Sequence, residues 1–596
     1  MSSVPERSEI DAEYKWDLES IYTTDEDWEE AYEEVEERVD ELASYEGEAT
    51  EDGETLLEFL ELYESVMRAV QQIAAYARMR RDEDTRDQEY QAMTTRSQSL
   101  AADASSASSF LEPELQSLDD DELDALLESE PDLEVYEHYV DDVVRMREHT
   151  RSAEIEGLLA DLSEVTGASG EIYNILTNAD VEFPTVEDPE GEAVEISLAN
   201  FTNLQKDPDR AFRREVYEQF YDEWEGIRNT VATSYRNSVK ADVKLARARN
   251  YETAREAAMN GPNVPVDVYD NLVDTVRENL DKLHRHADLK RRALDVDELQ
   301  MWDLYMPMTE TESPTLEYED AREHVVEALG ALGEEYQSRV AEGLDSRWVD
   351  VYENRGKQSG AYSGGTYDTQ PFILMNYQDD VSSMFTLAHE LGHSMHSQFT
   401  SENQPYVYSS YEIFTAEVAS TVNESLLTRH LLDTVEDPQF RRHILNEYLE
   451  RFRSTLYRQT MFADFEHQAH EIVEDGGALT PDRLDSLYGD LKAEFYEPAA
   501  IDDRIGREWM RIPHFYRAYY VYQYSTGISA AVALANDILE EGQPAVDRYH
   551  GFLERGSREY PLELLADAGV DMSSSEPIEA ALSTYDEHLD EFEALL

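Results

Sequence analysis

Cysteine is absent from this chain of 596 residues, and basic residues are few. Without cysteine, a disulfide framework, thiol catalysis and thiolate metal sites are all excluded. The chain has 133 acidic residues against 49 lysines and arginines, which gives a formal net charge of -84. A negative field of this size repels phosphate backbones and anionic lipids. We therefore expect neither a nucleic acid nor a membrane among its partners.

Lysine is scarce even among the basic residues, since only eight of the 49 are lysine. Acidic enrichment with few lysines is typical of cytoplasmic proteins from salt-accumulating halophiles, because concentrated ions screen the self-repulsion. An acidic protein of ordinary habitat is the alternative. The hydrophobic share of 41% is enough to form a core, so the charge does not indicate disorder. The composition predicts a folded, halophilic protein.

Long apolar runs are also missing. The charge-free stretch at 518–536 contains four tyrosines and is too polar to span a bilayer. The first residues, MSSVPERSEI, lack the basic-then-apolar pattern of a signal peptide. We expect a soluble, cytoplasmic protein, and the sequence leaves its oligomeric state open.

Helical periodicity dominates what is present. The first apolar stripe recurs about every 3.6 residues, with glutamates on the opposite face, at Trp28, Ala31, Tyr32, Val35, Val39 and Leu42. Similar amphipathic stretches lie at about 55–80, 84–110, 119–148 and 151–165. The pattern predicts a mainly α-helical fold.

The first break in the helical pattern lies at 181–198. Two short β-prone runs flank the turn-forming sequence Asp-Pro-Glu-Gly at 188–191, which predicts a hairpin. We place a domain boundary just after it, between an N-terminal helical domain (1–200) and a second domain (201–596).

A second break, at 356–377, precedes the residues that carry the chemistry. The glycine-rich GKQSGAYSGGTY (356–367) is followed by PFILMNY (371–377), which predicts one short buried strand. Asp379 and Asp380 then open a helix. A small β element is therefore expected beside that helix.

The helix contains the sequence His389-Glu390-Leu391-Gly392-His393. Residues four apart share one helix face, so both imidazoles can bind a single metal ion while Glu390 stands beside it. Two histidines and a carboxylate suit zinc, with a fourth position left for water. The sequence predicts one Zn²⁺ per chain, with Glu390 as the base that takes a proton from water.

The third metal ligand must lie outside this motif. The metzincin pattern requires a histidine where Phe399 stands, so that class is excluded. Glu417, on a later helix, is the favoured ligand because a second helix closes a tetrahedral site with little strain. His396, on the first helix, is the alternative ligand or a supporting residue. Glu424 either orients a ligand histidine or lies on a solvated helix face.

A tyrosine-rich segment, IPHFYRAYYVYQYSTG (512–527), lies further along the chain. A histidine or tyrosine can donate a hydrogen bond to a developing oxyanion, which makes the segment a candidate for catalysis. Aromatic residues at helical spacing are more often part of a core, so the segment alone decides nothing.

Three strings in this order and spacing, HELGHSMHS, AEVASTVNESLL and IPHFYRAYYVYQYSTG, resemble oligoendopeptidase F, a branch of the thimet-oligopeptidase-like zinc metallopeptidases. KWDLESIY (15–22) and the glycine-rich 356–367 are similar to that family too, so the resemblance spans nearly the whole chain. It implies an almost wholly helical fold in which two halves enclose a deep channel with zinc at its floor. The domain 1–200 would then be a lid or channel wall.

The resemblance also implies roles for particular residues. His389, His393 and Glu417 match the family's metal ligands, and Glu390 matches its general base. The residues that bind substrate and stabilise the tetrahedral intermediate would be His514, Tyr519 and Tyr522. The glycine-rich loop would bind the substrate backbone, because glycines allow a close approach to the main chain.

The sequence therefore predicts a zinc metalloendopeptidase that hydrolyses internal bonds of short oligopeptides. Two other functions are kept as alternatives. One is a non-catalytic, zinc-stabilised helical protein that binds peptides, although a structural zinc site is usually closed by four protein ligands. The other is a zinc carboxypeptidase, which requires a free substrate terminus.

Overall fold

The computed structural model describes residues 4–309 and 314–596. Within these ranges the chain is mainly helical, as predicted, with five short strands. The helices before the second break are α1 (Asp25–Ala43), α2 (Gly53–Glu83), α3 (Gln88–Ser108), α4 (Leu111–Ser117), α5 (Asp120–Ser129), α6 (Glu137–Arg145), α7 (Ala153–Asp161), α8 (Ser163–Ile175), α9 (Phe201–Leu204), α10 (Arg210–Ala248), α11 (Ala254–Asn260), α12 (Val266–Glu278), α13 (Leu280–Ala293), α14 (Tyr318–Ala328) and α15 (Glu334–Asp345).

The later helices begin directly after the predicted strand. They are α16 (Val381–Asn403), α17 (Ile413–Thr434), α18 (Pro438–Phe452), α19 (Arg458–Glu474), α20 (Pro481–Phe495), α21 (Tyr522–Glu541), α22 (Gln543–Leu553), α23 (Pro561–Ala568) and α24 (Glu576–Leu595). The strands are β1 (Thr185–Glu187), β2 (Ala193–Glu195), β3 (Val349–Tyr352), β4 (Tyr362–Gly364) and β5 (Phe372–Tyr377). None of the described helices is both long enough and apolar enough to cross a membrane.

Local sequence explains where the first helix begins and where a later one is broken. The Thr24 hydroxyl accepts a hydrogen bond from the Asp27 backbone, and the Asp27 carboxylate accepts one from the Thr24 backbone, which together cap α1. The amphipathic stretch 119–148 is not one helix, because α5 ends at Ser129 and a separate 3₁₀ turn begins at Pro131. Proline lacks the N–H that would continue α5.

The chain folds into two compact units, each assembled from three stretches. The first comprises Met1–Glu148, Thr315–Leu431 and Leu534–Gly569, and the second His149–Pro314, Leu432–Ala533 and Val570–Leu596. These units follow a different division from the boundary near residue 200. That boundary, and the channel between two halves, stay predictions.

The first unit has a continuous apolar core and a small mixed sheet. Trp16, Trp28 and Phe59 from the N-terminal region pack in one cluster with Phe372 and Leu374 of β5. β5 is the central strand, parallel to β3 and antiparallel to β4, which leaves β4 at an edge. The buried strand predicted at 371–377 is confirmed.

The second unit has its own aromatic core. The Tyr235 ring on α10 lies 5.8 Å from Trp509, 6.1 Å from Phe465 and 5.9 Å from Phe515, measured between ring centroids. β1 and β2 form an antiparallel pair in this unit, with Val186 opposite Val194. The predicted hairpin is therefore confirmed.

Candidate metal centre

The predicted metal motif lies on α16, a helix that follows β5 directly. The Asp380 carboxylate accepts a hydrogen bond from the Ser383 backbone N–H and caps the helix, which confirms the predicted start at Asp379 and Asp380. His389 and His393 are one turn apart and partly buried, while Glu390 between them is only 7% exposed. The hydrophobic periodicity of α16 thus fixes two imidazoles and a carboxylate in one rigid element.

Gly392 brings a second helix against this motif. A Cβ atom at this position would lie 2.5 Å from the Cα of Ser420 and 2.6 Å from the Ala419 carbonyl oxygen, both on α17. Only glycine permits so close an approach between the two backbones. The approach places Glu417 and Glu424, which flank Ser420 on α17, opposite the histidines of α16.

Three side chains meet at this crossing. The Nε2 atoms of His389 and His393 are 3.2 Å apart, and Glu417 Oε2 lies 3.4 Å from the first and 3.7 Å from the second. A tetrahedral zinc with ligand distances of about 2.0–2.2 Å holds neighbouring ligand atoms roughly 3.3–3.6 Å apart. The spacing and the donor types therefore fit one zinc ion.

Glu424 contacts the other nitrogen of the first imidazole. Its Oε1 is 2.6 Å from His389 Nδ1, and its side chain is buried. Burial alone would lower the pKa of His389, but the hydrogen bond to Glu424 and the charges of Glu424 and Glu417 outweigh it and raise this pKa. A carboxylate in this position fixes the ring orientation and turns Nε2 towards His393 and Glu417. Glu424 does not lie on a solvated face.

Glu390 is the buried carboxylate beside the three candidate ligands. Burial raises its pKa to about 7, and the neighbouring Glu417 adds to this, while His389 and a hydrogen bond from the Ser363 backbone N–H act in the opposite direction. Ser363 lies on β4, and its hydroxyl is 2.8 Å from the Ser394 hydroxyl on α16. The edge strand therefore holds both the base and the helix that carries it.

His396 lies apart from the group of three. Its ring stacks on Tyr411 at 3.8 Å between centroids, and the residue is 1% exposed. Burial lowers the pKa of His396 to about 3, so the ring is neutral. The group of candidate ligands at this crossing, whose ligand atoms lie within 4.8 Å of one another, consists of His389, His393 and Glu417 and does not include His396.

A cavity of about 860 Å³ opens over these residues within the first unit. One wall is the glycine-rich segment after Ala361, and another is formed by α16 and the start of α17. The side chains of His389, Glu390, His393 and Glu417 all line it. The cavity is large enough for several residues of an extended peptide.

The tyrosine-rich segment belongs to the second unit, where its residues serve the local core. Tyr519 has a left-handed backbone conformation, with φ 54°. Its backbone N–H donates a hydrogen bond to Glu466 Oε1 at 2.8 Å, and its hydroxyl oxygen lies 3.2 Å from His467 Nδ1. The Tyr522 ring lies 5.2 Å from Tyr269 and is buried. His514 is half-buried and parallel to the Tyr520 ring at 5.9 Å. The catalytic roles of His514, Tyr519 and Tyr522 stay predictions.

Several residues that shape the site were not found from the sequence. Gly392 belongs to the motif by sequence, but the need for glycine there arises from the backbone of α17. Ser363 and Tyr411 act through contacts with Glu390 and His396 that join distant parts of the chain. The one available signal is the glycine-rich loop, whose glycines allow a substrate peptide to approach the main chain closely.

A mainly helical fold with this donor set beside a buried glutamate defines the class of metal-dependent peptidases. The chain belongs to peptidase family M3: the model described as Peptidase family M3 matches residues 203–584, and the one described as Oligopeptidase F matches residues 114–183. The resemblance inferred from the motifs is confirmed.

Relatives from bacteria match along the whole chain. Oligopeptidase PepF of Bacillus subtilis is 44% identical over 596 residues, which is 100% of this chain and 89% of the relative. The crystal structure of oligoendopeptidase-F from Enterococcus faecium is 38% identical, with a TM-score of 0.74 over 96% of this chain and 99% of that one. A structure from Chlamydophila abortus is 32% identical, covers 100% of both chains and has a TM-score of 0.90.

Proposed function

We propose that this chain is a zinc-dependent endopeptidase that hydrolyses internal bonds of short oligopeptides. One Zn²⁺ per chain would be held by His389, His393 and Glu417. The observation that carries the proposal is their set of ligand-atom distances, 3.2 to 3.7 Å, in the lining of a cavity that Glu390 also lines. Zinc bound there would supply a Lewis acid that polarises a carbonyl and makes water more acidic.

The protein's own residues would then move the proton. The Glu390 carboxylate takes a proton from the water that attacks the scissile carbonyl carbon and gives it to the departing amine nitrogen. The Ser363 N–H holds the Glu390 carboxylate in place, and Glu424 holds the His389 ring. Support for the peptide as substrate comes from the family and from relatives named as oligopeptidases.

His514, Tyr519 and Tyr522 are proposed to bind substrate and stabilise the oxyanion, as the resemblance implies. A hydroxyl or imidazole N–H aimed at developing negative charge lowers the barrier to attack. The proposal extends to short oligopeptides as partners and to a cytoplasmic location, which rest on the family and the composition.

The first test is cleavage of an internally quenched peptide blocked at both ends, in molar salt. We expect cleavage at an internal bond, loss of activity with a chelator and recovery on adding zinc. A carboxypeptidase would leave this peptide intact because it needs a free terminus. A zinc-loaded, folded protein that cleaves neither blocked nor free peptides would contradict the enzyme and favour the peptide-binding alternative.

Two variants separate metal binding from proton transfer. Glu390→Gln is expected to retain zinc and lose turnover, whereas His393→Ala is expected to lose both. Bound zinc is measured by elemental analysis, with a His430→Gln control. Another group of candidate ligands among the described residues consists of His324, Glu327 and His430. Zinc bound to that group would be lost in His430→Gln and retained in Glu390→Gln and His393→Ala. Near-full activity in Glu390→Gln would refute the proposed base.

A further inference from the structure

The cavity over the metal centre contains one positive side chain. Its lining includes three carboxylates, Glu390, Glu402 and Glu417, and of the described residues that form it only Arg78 is a lysine or arginine. Glu402 is already paired, since its Oε2 is 2.6 Å from Arg339 Nη1. In a chain with more than twice as many acidic as basic residues, an arginine in this position requires an explanation.

Arg78 differs from the neighbouring arginines of α2. Arg80 pairs with Glu19 and Glu83, and Arg81 pairs with Asp82. In the part of the chain that the structure describes, Arg78 has no carboxylate within ion-pair distance, and its side chain is exposed to the cavity. Its charge is therefore available to a ligand.

An aromatic ring holds the Arg78 guanidinium in place. The guanidinium carbon lies 5.4 Å from the centroid of the Tyr362 ring, a cation–π distance. The Tyr362 hydroxyl donates to Asp82 Oδ2 at 2.8 Å, one turn further along α2. The ring is thus fixed to the same helix that carries Arg78, and its face favours one position of the guanidinium.

Arg78 also lies next to the strand that holds the base. Ser363 of β4 donates its N–H to Glu390, and a Cβ at the next residue, Gly364, would lie 3.3 Å from Arg78 Nη2. Residues along a strand are about 3.3 Å apart. A ligand group held by Arg78 is therefore only a few residues from the bond whose hydrolysis Glu390 would assist as the base.

We propose that Arg78 forms a carboxylate-binding subsite for the peptide substrate. The ligand is either the C-terminal carboxylate or the side chain of an aspartate or glutamate near the scissile bond. A guanidinium matches a carboxylate with two parallel hydrogen bonds, which a lysine cannot reproduce. The proposal rests on the peptidase function and adds a substrate preference to it.

The test compares peptides that differ only in where a carboxylate stands. One series has amidated C-termini and carries glutamate or glutamine at successive positions around the cleaved bond, and another has free or amidated C-termini without acidic residues. For wild type we expect a preference for one carboxylate position. Arg78→Gln should raise KM for that peptide about 10- to 100-fold, because charge-assisted hydrogen bonds are lost. The KM for the uncharged counterpart, with glutamine or an amide in place of the carboxylate, should stay within about twofold of the wild-type value.

Two further variants serve as controls. Arg78→Lys should recover only part of the affinity because it keeps the charge and loses the fork. Arg214→Gln removes one positive charge from an exposed pair with Glu218, and it should leave all peptides unchanged. Circular dichroism melting of each variant identifies any loss of fold.

Binding of the same peptides to Glu390→Gln, with and without Arg78→Gln, is measured by fluorescence anisotropy. This binding does not depend on turnover, so the subsite is tested even if the proposed function fails. A carboxylate preference that disappears with Arg78→Gln supports the subsite, and the two series show which carboxylate it binds. Equal binding of charged and neutral peptides, or a preference unaffected by Arg78→Gln, would overturn it.

Discussion

At the scale of single residues, Gly392 determines how closely the two helices of the metal centre approach. Its missing side chain lets α17 approach α16 until Glu417 and Glu424 reach the histidines. A Cβ there would meet backbone atoms at 2.5 and 2.6 Å, which cannot rotate out of the way as a flexible side chain could. The helices would have to move apart.

We expect Gly392→Ala to destabilise the fold by about 1–3 kcal/mol through overpacking. It should also weaken zinc binding at least about tenfold, because Glu417 and Glu424 move away from their partners. Urea unfolding and a competitive zinc titration measure the two effects. Gly157→Ala on α7 is the matched control: nothing lies within 4 Å of its added methyl group, so it should stabilise slightly and leave zinc affinity unchanged. Wild-type zinc affinity in Gly392→Ala would contradict this account.

The sequence was sufficient for residues whose roles follow from spacing along one helix. His389 and His393 share a face because they are four residues apart on α16, and Glu390 stands beside them. His396 could not be assigned, because helical spacing also brings it near that face and only the stacking partner Tyr411 shows where the ring goes. Contacts between distant segments, such as Ser363 with Glu390, leave no pattern in a single sequence.

At the scale of elements, the stability of α16 depends in part on the cap at its first turn. The Asp380 carboxylate accepts the Ser383 N–H at 2.8 Å, and the helix then carries the metal motif more than two turns later. Capping acts on the end of a helix, whereas packing against β4 and β5 holds its middle. The two contributions can be measured separately.

Asp380→Ala is expected to lower the free energy of unfolding by about 1 kcal/mol, because one backbone N–H loses its partner. Zinc affinity should change by less than about twofold, since the motif lies in the packed part of the helix. Asp380→Ser restores an acceptor and should recover most of the stability. Equal stability of Asp380→Ala and wild type in urea unfolding would show that the cap contributes nothing.

Element types were predictable where local chemistry was decisive. The hairpin at 181–198 has turn residues between β-prone runs, and the strand at 371–377 is a short apolar run bounded by a glycine-rich segment, so both were found. The split of 119–148 into α5 and α6 shows the limit, because amphipathic periodicity continues across Pro131 although the hydrogen bonding does not. The grouping of helices into units needs long-range contacts that periodicity does not contain.

At the scale of the whole molecule, charge governs stability. Besides its many surface carboxylates, the second unit buries Glu466, whose carboxylate accepts the Tyr519 N–H. Burial raises the pKa of Glu466 to about 8, reinforced by Asp242 and opposed by His470 and this hydrogen bond. The folded state favours the protonated acid. The contribution of Glu466 to the free energy of unfolding is therefore fully present below pH 4.5 and is lost as the pH rises to about 8.

Glu466→Gln keeps an acceptor oxygen and removes the titration. Relative to wild type, we expect the variant to gain stability between pH 5 and pH 9, on the order of a few kcal/mol. Chemical unfolding at several pH values measures the difference. Glu436→Gln, at an exposed position, controls for the loss of one negative charge and should follow the wild-type curve. A constant difference between Glu466→Gln and wild type would contradict a raised pKa.

The net charge of -84 predicts a dependence on salt. Raising KCl from 0.1 M to 1 M shortens the screening length from about 10 Å to about 3 Å, which weakens repulsion between surface carboxylates. The thermal midpoint and the peptidase activity should both rise over this range. Sucrose stabilises folded proteins without screening charge and serves as the control. Full activity and a cooperative transition in dilute buffer would refute the halophilic interpretation.

The two compact units are each assembled from three stretches, so the chain passes from one to the other five times. No contiguous segment of a gene encodes either unit. A recombination event that transfers one contiguous segment therefore cannot transfer either unit without part of the other, and a stop codon before residue 569 leaves both units incomplete. Neither unit can be acquired, exchanged or lost without the other, and the two must be inherited as one module.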